Sequence, residues 1–299
     1  MLPFKALLTA LEKMAPLSLA GSWDNVGLLI AHVHPFESAH PYKVLLTNDI
    51  TMGVLEESLT CFEGGSANMI ISYHPTPFSA LKKFNMSNPA SRVVMTAAAN
   101  NIAVFSPHTS WDAAPDMLND WLLSGVVTES GAKLNSFGIS PVKRAAGPLG
   151  EAGAGDGRMA TLEQSVPLSQ IIAGVKRHLN LRTVGVSLPT PHAFGASEDP
   201  ATVLAAASEI PISSVAVCAG SGASVLGGLS TVSVWITGEL SHHELLAASA
   251  AGVSVILTNH SNSERGFLPV AMKKLELLTA KDSIRFLISQ KDADPLSTV

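Results

Sequence analysis

A chain of 299 residues is long enough for two domains of ordinary size or one large one. Charged residues make up 14% of it and hydrophobic residues 46%, against about 25% charged in a typical soluble domain, and the apolar surface left over predicts an oligomer. A net charge of −5 excludes the clustered Lys and Arg of a direct nucleic-acid binder, and no apolar run reaches the length of a membrane span.

Residues 1–16, MLPFKALLTALEKMAP, put Leu7, Leu8, Leu11 and Met14 on one helical face. This reads as a structural helix, since a signal peptide needs a longer apolar core and a cleavage site. Residues 43–49 (KVLLTND) are predicted as a buried strand, and 53–63 as a helix with Val54, Leu55, Ser58, Leu59 and Phe62 on one face. A strand at 68–73, a helix at 88–101 with Pro89 in an allowed first position, a strand at 102–106 and a helix at 115–124 closed by Gly125 complete the first half. The alternation implies a mostly parallel sheet covered by helices. Residues 145–157, AAGPLGEAGAGDG, form a Gly/Ala-rich break. It separates an expected N-terminal α/β lobe over 1–135 from a C-terminal one over 158–299. The second set runs strand 159–165, helix 168–180, strands 182–187, 214–218 and 231–237, helix 241–251, strand 253–258, helix 263–279 and strand 283–288. The helix at 241 has a capping box, Ser241 with Glu244, and ends at Gly252. Cys61 and Cys218 stand in no metal or redox spacing, which fits a reducing compartment without disulfides.

Three segments share one layout, an apolar strand followed at once by ligand-type residues. They are His74-Pro75 after strand 68–73, the stretch from Pro107-His108 to Asp112 after strand 102–106, and the stretch from Asn259-His260 to Glu264 after strand 253–258. Open parallel sheets gather ligands at the carboxyl ends of their strands, so the three could converge. Imidazole and carboxylate donors without thiolate suit Zn, Mn, Fe or similar divalent ions. Both His260–Glu264 and His108–Asp112 are spaced i,i+4 and share a face on a helical backbone. Each residue also has a plain alternative. Glu264 with Ser261 reads as a capping box, His74 as a lone histidine, and Asp112 as a turn or helix-start acid. Asp49, at the same sheet edge as His74, either orients a ligand imidazole or caps the next helix. Asp24 and Asn25 are polar groups beside an apolar run. His242 and His243 fall in the first turn of a capped helix and favour a structural or interface role, while His32, His34 and His40 lie in a loop without ligand spacing. The turn CAGSGAS at 218–224 could bind an anion through its amides or pack a strand closely on a helix.

Together these segments resemble the NIF-three-like family, also called the type 2 GTP cyclohydrolase I family. The matching stretches are GSWDNVGLLI (21–30), LLTNDIT (45–51), MIISYHPTPFSALKKF (69–84), IAVFSPHTSWDAAPDMLNDWL (102–122), VAVCAGSGAS (215–224), the long run 238–268 with its HSNSERG, and the terminal DADPL (292–296). The tyrosine in SYHP and the DADPL ending resemble the eukaryotic branch. The resemblance implies an α/β protein of two linked three-layer lobes with mostly parallel sheets, a metal site in the cleft between them, and a homo-oligomer assembled as a hexamer. It implies His74, Asp112, His260 and Glu264 as ligands of one or two divalent ions (Zn, Fe or Mn). Tyr73 stands where many members carry the first His of an HHP motif. A phenol with a pKa of about 10 is a poorer ligand, so the resemblance leaves the second metal position weaker, empty or differently ligated. His108 is implied as a group beside the site that either supports the ligands or works as an acid/base group, and Glu264 is its expected catalytic companion. The implied function is a metal-dependent hydrolase acting on a small molecule or nucleotide. GTP ring opening is assigned to some bacterial members, although no guanine-reading motif stands in this sequence. The alternative is a non-enzymatic oligomeric scaffold that interacts with transcriptional regulators. The expected location is cytoplasmic, extending to the nucleus, without membrane or direct nucleic-acid contact.

Overall fold

The computed structural model describes residues 3–34, 41–63, 65–135, 138–190 and 199–296. The chain divides into two compact units, one made of Met1–Ala114 with Phe267–Pro295, the other of Pro115–Gly266 with Leu296–Val299. These are not the contiguous halves expected from sequence. The difference comes from one long-range pairing, strand Ile284–Ile288 lying parallel to Tyr42–Thr47, which no local pattern announces.

The first unit is built on a five-stranded sheet in the order Gly27–Ile30, Ala103–Ser106, Met69–Ser72, Tyr42–Thr47, Ile284–Ile288. All neighbours are parallel except the edge strand Gly27–Ile30, which the sequence reading missed. Strands buried on both faces read as continuous apolar runs, and Met69–Ser72 and Ala103–Ser106 are buried at every position. On one face Leu45, Ile70 and Val104 pack against Val54, Leu55, Val93 and Ala97 from helices Met52–Ser58 and Pro89–Ala99. Both helices begin where a side chain accepts an otherwise orphaned amide: Thr51 from Val54, and Asn88 from Ser91 with Pro89 next in line. Helix Pro3–Met14 buries Leu7 and Leu11, as its periodicity predicts. Because the inner strands run parallel, Asn48-Asp49, Tyr73-His74 and Pro107-His108 emerge at the same carboxyl edge.

The second unit has a five-stranded sheet in the order Arg158–Pro167, Pro211–Ser221, Val234–Glu239, Ser254–Leu257, Gly185–Ser187. The three inner strands are parallel and both edges antiparallel. Ala216, Trp235 and Val255 share a core with Leu226, Ala248 and Val253. Helix Leu118–Ser130 runs through Gly125, the expected stop, and ends at Gly131 with φ 76°. Gly125 serves close packing instead, since a Cβ there would meet the His178 ring on helix Leu168–His178 at 1.9 Å. The Gly/Ala-rich break contains a short helix, Pro148–Glu151, and a two-residue strand, Gly155–Asp156, paired with Lys143–Arg144. Helix Pro200–Ser208 was not foreseen. The last helix spans Leu268–Leu278 rather than 263–279, and two 3-10 turns, Ser261–Ser263 and Arg265–Phe267, precede it. Among the described residues no helix is long and apolar enough to cross a membrane.

Candidate functional site

The carboxyl edge of the first sheet gathers six of the residues named in the sequence, His74, Asp49, Tyr73, Asp112, His108 and Asp24. His74 directs Nδ1 at Asp49 Oδ1, 2.9 Å away. A carboxylate only accepts, so Nδ1 is the donor in this contact and Nε2 is the nitrogen left over, the arrangement that orients a metal-ligating imidazole. Asp49 therefore partners the histidine, and Thr51 takes the helix-capping role that was its alternative. Tyr73 donates its hydroxyl to Asp112 Oδ1 at 2.6 Å, so the residue that departs from HHP positions a carboxylate. Asp112 sits on the five-residue helix Thr109–Ala113. His108 immediately precedes that helix with φ 33° and ψ −119°, a strained conformation for a residue with a Cβ. What holds it is Asp24, whose shielded carboxylate takes His108 Nδ1 at 2.8 Å, the Thr109 amide at 3.2 Å and the Thr109 hydroxyl at 2.5 Å. Burial alone would push the Asp24 carboxyl up, but these hydrogen bonds outweigh it and its pKa lies below the ordinary value. The His108 ring centroid lies 5.3 Å from that of His74 and 5.4 Å from that of Tyr73. Trp23 and Phe78, 66% and 56% exposed, stand edge-on to His108 at 6.0 and 6.2 Å.

The carboxyl edge of the second sheet carries the other two residues. His260 follows Asn259, which has φ 68°, and the turn Ser261–Ser263 brings Glu264 back toward it. His260 Nδ1 lies 2.9 Å from Glu239 Oε1, and Nε2 lies 3.3 Å from Glu264 Oε1. Glu264 is 2% exposed and precedes helix Leu268–Leu278 without capping it, so its capping-box alternative is not realised. The hydrogen bond that His260 donates to Glu264, reinforced by the charges of Glu264 and Glu239, outweighs burial and raises the His260 pKa to about 9. Gly220 has φ +65°, and a Cβ there would stand 2.7 Å from Glu264 Oε1 and 3.1 Å from His260 Nε2. The turn at 218–224 thus serves close approach. The Gly220 amide donates to Ser263 Oγ at 2.8 Å, and Ser263 Oγ donates to the His260 carbonyl at 2.6 Å.

Among the described residues, the other histidines considered in the sequence lie outside this arrangement. His32 bonds the Asn101 carbonyl at 2.8 Å and the Tyr42 hydroxyl at 2.9 Å. His34 is exposed, as are His242 and His243 at the start of their capped helix, and His40 lies outside the described residues. Sequence reasoning left Asp24 and Glu239 without a role. Asp24 and Glu239 gave no local signal, because each finds its histidine across 84 and 21 residues of chain.

The chain matches the family described as Duf34/NIF3 (NGG1p interacting factor 3) over residues 3–295. It is 39% identical over 298 residues to NIF3-like protein 1 of Drosophila melanogaster, covering 98% of this chain and 88% of that protein. It is 35% identical over 300 residues to NGG1-interacting factor 3 of Saccharomyces cerevisiae, covering 97% and 95%. The crystal structure of Staphylococcus aureus protein SA1388 superposes with a TM-score of 0.73 at 24% identity over 98% of both chains, a likeness of fold.

Proposed function

The chain belongs to the Duf34/NIF3 family, and from that premise we propose that it binds a divalent cation and acts as a metal-dependent hydrolase on a small molecule, with a nucleotide as the first substrate to test. The ligands in this reading are His74, Asp112, His260 and Glu264, with Zn, Fe or Mn as the ion. One observation carries it. His74 and His260 each hand Nδ1 to a carboxylate, which leaves Nε2 as the donor nitrogen on both. The donor chemistry fits the ion. Two imidazoles and two carboxylates suit these metals, and the missing side chain at Gly220 leaves room at His260 Nε2 and Glu264 Oε1. When bound, such an ion supplies Lewis acidity and brings the pKa of a water toward neutrality.

The chain's own groups do the rest. Asp24 fixes the His108 tautomer, so that imidazole can take or give a proton at Nε2. Glu264 serves as ligand and as the acid paired with His260. Trp23 and Phe78 flank His108 with exposed rings, apolar walls beside a polar centre. The test is metal analysis of the purified full chain beside His260→Ala, together with turnover of GTP and a phosphoester in wild type and Glu264→Ala. Equal metal stoichiometry in wild type and His260→Ala overturns the ligand assignment. Unchanged turnover in a folded Glu264→Ala overturns the catalytic one.

The name of the yeast relative, an interacting factor, favours a second reading. In it the protein is an oligomeric, metal-bearing scaffold for protein partners in the cytoplasm and nucleus. Metal binding without turnover of any substrate, joined to a self-associated hexamer in sedimentation, decides for it.

A further inference from the structure

Residues near the carboxyl end of the chain reach the loop that orients His74. Past strand Ile284–Ile288, the Ser289 amide donates to the Leu46 carbonyl at 2.8 Å and the Ser289 hydroxyl to Glu57 Oε2 at 2.5 Å. The Gln290 amide donates to Glu57 Oε1 at 2.8 Å. The Lys291 and Asp292 amides fold back onto Ser289 Oγ at 3.1 and 3.2 Å. This turn sets the Asp292 carboxylate against the backbone amide of Asn48, with Oδ2 2.8 Å from the nitrogen.

Asn48 is fully buried and touches His74 from two sides. Its carbonyl accepts the His74 amide at 2.9 Å. Its side-chain nitrogen lies 3.2 Å from Asp49 Oδ2 and 3.4 Å from His74 Nδ1. Asp49 Oδ1 takes the same His74 Nδ1 at 2.9 Å. A route from Asp292 to the imidazole therefore runs through two neighbouring residues, Asn48 and Asp49.

We propose that Asp292 is a positioning residue for the metal centre, with the segment 289–292 acting as a clasp that fixes Asn48 and Asp49 and so aims His74 Nε2. This rests on the reading of His74 as a ligand. The physical basis is that a metal-binding imidazole depends on the group that holds its other nitrogen, and that group is only as fixed as the loop carrying it. An aspartate that merely capped the strand end at Asn48 would stabilise the fold without touching affinity for the ion.

The experiment measures Zn²⁺ affinity of the full chain by competition with a chromophoric chelator, alongside the thermal midpoint without metal. The variants are wild type, Asp292→Ala, Asp292→Asn, Asp49→Asn and His260→Ala. Direct partners of metal-ligating histidines typically contribute about 10–100-fold in affinity. Asp49→Asn is expected in that range and Asp292→Ala at about 3–10-fold, one link further out. Asp292→Asn, which keeps an oxygen at the same place, recovers part of the loss. The ¹⁵N spectrum of the metal-free protein reports the tautomer directly, and Asp292→Ala shifts His74 toward a mixture. Asp292→Ala that lowers the midpoint yet binds Zn²⁺ as wild type does, while Asp49→Asn is weakened, overturns the clasp and leaves the ligand set standing. Wild type and His260→Ala binding Zn²⁺ alike overturns the ligand set, and the clasp with it.

Discussion

Gly220→Ala probes the centre at its tightest point. The substitution adds one methyl group to a residue with φ +65°, where an L side chain costs about 1–2 kcal/mol of backbone strain. The methyl would also stand 2.7 Å from Glu264 Oε1 and 3.1 Å from His260 Nε2, so the buried carboxylate must move. Gly252, just past helix His242–Ala250, supplies the matched control. Its φ is +80°, but a Cβ there meets nothing within 4 Å, so Gly252→Ala carries the strain without the collision. At about 2–4 °C per kcal/mol for a domain of this size, Gly252→Ala should lower the midpoint by about 2–8 °C and leave metal affinity unchanged. Gly220→Ala should lower it at least as far and weaken Zn²⁺ binding by about 10-fold or more, since a donor is displaced and its histidine partner with it. Calorimetry and chelator competition on both variants give the comparison. Equal Zn²⁺ affinity in Gly220→Ala and wild type would refute the reasoning that this glycine makes room for the ligands.

The other predictions concern protons. With the His260 pKa raised to about 9, a cation must displace a proton at any lower pH. Apparent Mn²⁺ affinity should therefore climb by up to about tenfold per pH unit between about pH 7 and 9 and then level off, and a flat profile contradicts this. In the metal-free chain the sign reverses. The folded pKa exceeds the unfolded one, so this group's stabilisation is complete below about pH 6.5 and fades as pH rises through about 9, which thermal midpoints across that window will show. Asp24→Asn exchanges one of the two carboxylate oxygens for an amide nitrogen, so His108 Nδ1 or Thr109 loses its acceptor and the negative charge beside the imidazole is gone. Turnover of the responsive substrate should fall by about 10²-fold or more with metal content unchanged, and parallel loss of metal would move Asp24 into the ligand framework.

What the sequence made legible follows from range. The inner strands of both sheets were readable because strands buried on two faces are unbroken apolar runs, as at Met69–Ser72. The helix at His242–Ala250 was readable because its cap and its glycine are local chemistry. The placement of His74, His108 and His260 at the carboxyl ends of strands followed from chain direction in a parallel sheet. The edge strand Gly27–Ile30 escaped because four residues carry too short a pattern. Gly125 misled because a glycine that admits a neighbouring ring looks, in sequence, like one that ends a helix. The acids that aim the histidines were silent for a related reason: Asp24 and Glu239 acquire a role only through partners distant along the chain.

The way the first unit is threaded governs how it can be made. Its polypeptide departs at Ala114 and returns at Phe267, with Trp111 and Phe267 in edge-to-face contact at 5.7 Å. During translation all five strands of the second unit's sheet emerge before Ile284–Ile288 exists. Until that strand is synthesised, Tyr42–Thr47 presents an open, apolar border, the kind of edge to which chaperones and neighbouring nascent chains attach. A ribosome stalled after residue 266 would therefore hold a second unit with every strand in hand beside a first unit still waiting for its last one.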